Sequence, residues 1–156
     1  MADHPVIGHV HLKVSDLARA VAFYKDNLGF ELQQQMGNSA AFMSFGGYHH
    51  HLGLNVWHSK GGAPAPPSAP GLYHLAILYP TRKALAAALM KLIEKKVPID
   101  GASDHGVSEA IYLHDPDGNG IEIYWDKPKE QWPIKNGELE MTLDPLDLEG
   151  LLAELG

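Results

Sequence analysis

The chain has 156 residues, 45% hydrophobic and 20% charged, which suits one well-cored domain or two small fused modules. A net charge of −7 argues against a nucleic-acid or anionic-membrane surface, and the absence of cysteine excludes disulfides, cysteine zinc sites and cysteine nucleophiles. No apolar run approaches ~18 residues and the opening MADHPVIG has no signal-peptide pattern, so a cytoplasmic protein is expected.

IGHVHLKV (7–14) alternates and is rich in β-formers, so it predicts a strand. Ser15 or Asp16 then offers an N-cap for a helix with Leu17, Val21, Tyr24 and Leu28 on one face and Gly29 at its C-terminal stop. FELQQQMG and SAAFMSFGG read as two strands, and HHLGLNVW (50–57) as a further one. GGAPAPPSAPG (61–71) is a linker, too rich in Gly and Pro for either regular structure. The order then recurs. LYHLAILY (72–79) predicts a strand, and Thr81 caps a helix with Leu85, Leu89, Leu92 and Ile93 on one face. VPIDGASDHG holds a short strand, SEAIYLHDPDG a strand and turn, and NGIEIYWD the last strand. The tail is polar at first. DPLDLEGLLAEL (144–155) then predicts an amphipathic helix with Asp144 as cap and Pro145 at its first position.

The pattern β-α-β-β-β therefore occurs twice, with a period of about 65 to 69 residues, too long and too few for a solenoid. His9 and His74 occupy matching places in the two copies. Aligning AFMSFGGYHHHLGL with AIYLHDPDGNGIEI without gaps puts Gly53 opposite Glu122.

Glu122 is a carboxylate among β-forming apolar neighbours, and burying it unpaired is costly. It either faces a cation or points to solvent from an edge strand. Histidine is abundant, ten residues in all, and His9 and His74 are expected in mid-strand. Two imidazoles and one carboxylate with open positions suit Fe(II) or Mn(II), and Zn(II) or Ni(II) could also occupy such a set.

On these segments the chain resembles the vicinal-oxygen-chelate superfamily, which includes glyoxalase I, fosfomycin- and bleomycin-resistance proteins and type I extradiol dioxygenases. GHVHLKVSDLARAVAFYKDNLGFEL resembles its opening strand-helix-strand, LYHLAIL its fifth strand, and DPDGNGIEIYW its last turn and strand. The resemblance implies an α+β fold in which two βαβββ modules form a curled, eight-stranded, incomplete barrel around a metal. The modules would be 5–60 and 72–127, one domain over 5–127, with a tail over 128–156 that ends in the short helix. The metal ligands carry over onto His9, His74 and Glu122, with Fe(II) the expected ion.

HGVSEAIYLHDPDGNGIE (105–122) is similar to the extradiol ring-cleavage signature: a His, an apolar residue, Tyr, then a D-P-x-G turn and Glu. Ser103 departs from that signature, which wants Gly, Asn, Thr, Ile or Val there. The likeness implies that His105 and Tyr112 bond the substrate oxygens. It implies an acid/base histidine three residues before Gly53, namely His50, with His49 and His51 as rivals. A strand period of two would put His50 and Gly53 on opposite faces, so a bulge or loop start at 49–51 is required. Glyoxalase I supplies a fourth ligand, a glutamate, at the place of Gly53; glycine supplies none. His11 stands where fosfomycin-type proteins have threonine, and reads as a strand residue or pocket wall.

The expected activity is thus extradiol-type cleavage of a catechol-like vicinal diol by O2, in aromatic catabolism. The alternatives are a glyoxalase-type isomerase or lyase, with His50 or Glu109 as base, and a non-catalytic binding or resistance protein. A homodimer is expected, with no nucleic-acid or membrane partner. Leu146, Leu151, Leu152 and Leu155 make the C-terminal helix a candidate for a lid or dimer contact, and Phe42, Trp57 and Tyr112 suit an aromatic ring.

Overall fold

A computed structural model describes residues 3–156; the first two residues of MADHPVIG lie outside the described residues. The chain divides into two compact units, 3–70 with 115–118, and 71–114 with 119–156.

The first unit begins with β1 (Val10–Lys13) and α1 (Leu17–Leu28). Asp16 is the helix cap, accepting from the Arg19 N–H at 3.0 Å, and Gly29 ends the helix. Leu17, Ala20, Tyr24 and Leu28 face inward, so Ala20 takes the place expected of Val21. β2 (Glu31–Met36), β3 (Ala40–Ser44) and β4 (Leu52–Asn55) complete a sheet of order β1-β4-β3-β2. β1 and β4 are parallel and the other pairs antiparallel. The parallel register sets His11 opposite Gly53. Ala41, Met43, Leu52 and Leu54 form the core with the inward face of α1.

The loop between β7 and β8, residues 115–118, also belongs to this unit. The Tyr24 hydroxyl donates to Asp115 Oδ2 at 2.8 Å, and the two residues are 0% and 1% exposed. Burial, and then the charge of Asp115, raise the Tyr24 hydroxyl well above its usual range, so it stays a donor. Ser15 donates to Asp117 from its N–H and from its hydroxyl, at 3.1 and 2.5 Å, and Arg19 pairs with the same oxygen at 3.1 Å. The D-P-D-G turn is therefore anchored by both aspartates.

The second unit repeats the order with β5 (Leu75–Leu78), α2 (Arg82–Glu94), β6 (Gly101–Asp104), β7 (Ser108–His114) and β8 (Gly120–Asp126). Thr81 caps α2 through Oγ1, 3.0 Å from the Ala84 N–H. Leu85, Ala86, Leu89 and Leu92 are buried, whereas Ile93, expected on that face, is 47% exposed. β5 and β8 are parallel, with Ala76 opposite Glu122. Two short pairing segments follow, β9 (Ile134–Lys135) and β10 (Glu138–Leu139), then β11 (Asp144–Pro145) and α3 (Leu148–Leu152). β11 joins β6 antiparallel and extends the sheet to β11-β6-β7-β8-β5.

The tail departs from its expected form. Asp144 and Pro145 pair as a strand rather than opening a helix. Asp147, accepting from the Gly150 N–H at 2.9 Å, is the cap. Leu151 is fully buried and α3 packs on α2, where Arg82 donates to the Gly150 carbonyl at 3.2 Å and pairs with Glu154 at 2.8 Å. The expected α+β class and short terminal helix are present, and neither sheet closes on itself. Among the described residues no helix is long and apolar enough to cross a membrane.

Replacing Tyr24 with Phe removes a donor from a buried carboxylate. We expect a loss of roughly 1.5–3 kcal/mol, read as a lower urea midpoint at unchanged slope. An unchanged midpoint would show that the bond contributes nothing net.

Candidate metal and proton-transfer site

His9 and His74 were both expected in mid-strand; each instead precedes its strand. The β1 ladder opens at Val10, opposite Leu52, and the β5 ladder at Leu75, opposite Ile121. Glu122 does lie inside β8. In the second unit, His74 Nε2 lies 2.8 Å from Glu122 Oε2, and both side chains are largely covered. His74 Nδ1 is buried without a hydrogen-bond partner.

Gly120 makes this approach feasible. A Cβ at position 120 would stand 2.1 Å from the Tyr73 carbonyl oxygen and 3.1 Å from His74 Cβ. The glycine of the N-G-I-E segment thus lets the start of β5 press against β8.

Tyr112 is opposite Glu122 across the β7–β8 ladder. Its hydroxyl is 3.4 Å from Glu122 Oε1 and makes a close hydrogen bond with His105 Nε2. Burial, and then the Glu122 charge, push the Tyr112 hydroxyl up to about 12, so it is protonated at neutral pH. His74, Glu122, Tyr112 and His105 are therefore gathered by one sheet.

His9 and His50 meet in the first unit, with ring centroids 4.3 Å apart. His50 precedes β4 in the loop, as the register with Gly53 required. His49 Nδ1 contacts His50 Nδ1 at 2.7 Å, whereas His51 stacks on Tyr48 at 4.6 Å. Desolvation, and then neighbouring His9, His49, His11 and His51, lower the pKa of His50. Phe42 lies edge-on to His50 at 5.2 Å.

His11, which reads from sequence as a strand residue or pocket wall, has a more specific placement. Its ring fills the space over Gly53, where a Cβ would lie 2.7 to 2.9 Å from three ring atoms. Asn55 Nδ2 is 2.9 Å from His11 Nε2, and Trp57 is 5.6 Å away ring to ring. Desolvation, and then His9, lower the His11 pKa. Glu109, a candidate base, is held by Arg82 at 2.8 and 3.3 Å. Among the described residues no three His, Asp or Glu side chains are gathered to hold one ion. The assembled pair is His74 with Glu122, and His9 belongs to the other unit.

On donor chemistry the pair fits a divalent cation. An imidazole nitrogen and a carboxylate oxygen approach to 2.8 Å, and a divalent cation beside them would be held by both.

Residues 6–123 match the Glyoxalase/Bleomycin resistance protein/Dioxygenase superfamily, and the chain belongs to it. It is 41% identical over 153 residues to a catechol-2,3-dioxygenase of Bacillus subtilis, covering 96% of this chain and 52% of that protein. It is 31% identical over 150 residues to a biphenyl-2,3-diol 1,2-dioxygenase of Rhodococcus globerulus, covering 91% and 75%. The chain thus spans about half the length of the Bacillus relative. Among solved structures, a lactoylglutathione lyase from Agrobacterium tumefaciens superposes with a TM-score of 0.64 at 22% identity, over 80% of this chain and 96% of that one. A glyoxalase/dioxygenase from Nostoc punctiforme gives 0.65 at 22%, over 79% and 92%. These two likenesses show the fold. The resemblance to this superfamily, and to its catechol-cleaving members, is borne out.

Gly120→Ala should force the start of β5 away from β8. A lower melting temperature with altered His74 resonances is expected, and unchanged values for both would refute the close-approach account.

Proposed function

We propose that the chain is a metal-dependent extradiol-type dioxygenase acting on a catechol-like vicinal diol. The observation that carries this reading is the 2.8 Å approach of His74 Nε2 to Glu122 Oε2, beside the Tyr112 hydroxyl. The 41% identity to a catechol-2,3-dioxygenase supports the ring-cleaving branch. In this reading His9, His74 and Glu122 hold the ion, Fe(II) first, with Mn(II), Zn(II) or Ni(II) compatible with the same donors. When bound, the ion supplies a lowered hydroxyl pKa on the diol and a common anchor for diol and O2.

The residues do the rest. Tyr112, kept protonated, and His105 hold the substrate oxygens; without substrate the two bond to each other. His50 accepts a proton from the diol and returns one to the product, a task suited to an imidazole. Phe42, His11 and Trp57 offer aromatic faces to a ring. Both atoms of O2 enter the ring-opened product, so no separate reductant is consumed. Glu109 is tied to Arg82, which leaves the isomerase alternative without that base.

The reading includes a homodimer. Ile7 and Tyr73, 91% and 89% exposed ahead of β1 and β5, are surface available to a second copy, which light scattering would detect.

The deciding experiment loads the chain with Fe(II) without air, adds simple catechols, then admits air. O2 uptake with a yellow ring-opened product is expected. Metal-dependent turnover without O2 uptake would move the assignment to the isomerase class, and failure to bind any metal to a binding protein. His74→Ala and Glu122→Ala should each abolish metal retention by elemental analysis; full iron content in both would sink the ligand set. His50→Ala should keep its metal and lose about a hundredfold in turnover. Unchanged turnover would remove His50 from the mechanism.

A further inference from the structure

His105, at the turn between β6 and β7, is clamped by the C-terminal tail. The Thr142 N–H donates to the His105 carbonyl at 2.9 Å, and the Thr142 carbonyl oxygen lies 3.1 Å from His105 Nδ1. The Thr142 hydroxyl donates to the Asp104 carbonyl at 3.4 Å. Beyond Thr142, β11 pairs with β6, Asp144 opposite Asp104. Ahead of it, the Glu140 N–H donates to the Pro133 carbonyl at 2.9 Å, and the Pro133 ring fills the space over Gly106. The hairpin is braced from below as well, by Lys127 on Asp104 at 2.7 Å.

A carbonyl oxygen only accepts, so the hydrogen on that contact belongs to Nδ1. In a neutral ring Nε2 is then an acceptor. Its partner is the Tyr112 hydroxyl, which has one proton to give. Of the two groups that face this hydroxyl, His105 Nε2 is the closer and Glu122 Oε1 lies at 3.4 Å.

We propose that the main-chain carbonyl of Thr142 fixes the tautomer of His105, so that Nε2 is a proton acceptor for Tyr112. The tail segment 133–145 is therefore part of the site, and Thr142 is a positioning residue acting through its backbone. The consequence for turnover rests on the dioxygenase reading; the tautomer does not.

The test uses the full chain with 15N-labelled histidine, stripped of metal and again with Zn(II) added as a diamagnetic ion. Long-range proton–nitrogen correlation reports the tautomer, and His105→Asn identifies the signal. In the neutral ring the proton is expected on Nδ1, and a neutral ring protonated at Nε2 in the unaltered chain would overturn the proposal. Thr142→Val keeps the carbonyl and should keep the tautomer. Thr142→Pro removes the N–H and disturbs the carbonyl. It should shift His105 toward the other tautomer and lower kcat by about a hundredfold with little change in KM. An unchanged tautomer, or a changed one at full kcat, would refute the positioning role. If Thr142→Pro does not fold, the spectrum of the unaltered chain still decides. The expected tautomer in a chain that cleaves no catechol would end the dioxygenase reading and leave this one standing.

Discussion

The parallel ladder between β5 and β8 is the constraint on which the candidate site depends. Its register puts Ala76 beside Glu122 and leaves His74 just ahead of the first paired residue. From there the imidazole reaches the carboxylate without leaving its own sheet. A side chain larger than hydrogen at position 120 would wedge the strands apart at that point. The β7–β8 ladder then adds Tyr112 from the other side of Glu122. Main-chain hydrogen bonds thus fix three polar side chains before any of them contributes an interaction of its own.

The first unit uses the same scheme for a different purpose. Its parallel ladder pairs His11 with Gly53, as the second pairs Ala76 with Glu122. The equivalent positions carry an exchanged load: the ring is on the first strand and the last strand is bare. What the second unit spends on a carboxylate, the first uses to seat an imidazole against Asn55, Phe42 and Trp57.

Much of this was legible in the residues. Asp16 and Thr81 carry the cap chemistry, the leucines carry the helical period, and GGAPAPPSAPG is unsuited to either regular structure. The repeat followed from the same patterns, and the two registers agree with the ungapped pairing of Gly53 and Glu122. Strand ends were not legible. IGHVHLKV has β-forming residues throughout, yet only Val10–Lys13 has a partner strand within reach, and pairing is a non-local property. The tail misled for a related reason. Asp144-Pro145 satisfies the local rule for a helix start, but β6 offers an open edge, and Asp147 supplies the cap three residues later. The hold of Thr142 on His105 lies in backbone groups, which every residue possesses, so no side-chain pattern announces it. The tie between Glu109 and Arg82 joins residues 27 apart in sequence, on different elements.

The niche at Gly53 links two positions in any future change of this sequence. A side chain there would enter space already held by the His11 ring, and moving that ring would break its contacts with Asn55 and Trp57. Substitution at 53 alone therefore displaces an imidazole, and a smaller residue at 11 removes the obstacle. The two sites form a coupled pair, so a side chain on this strand at 53 comes with the loss of the contacts that the His11 ring now makes.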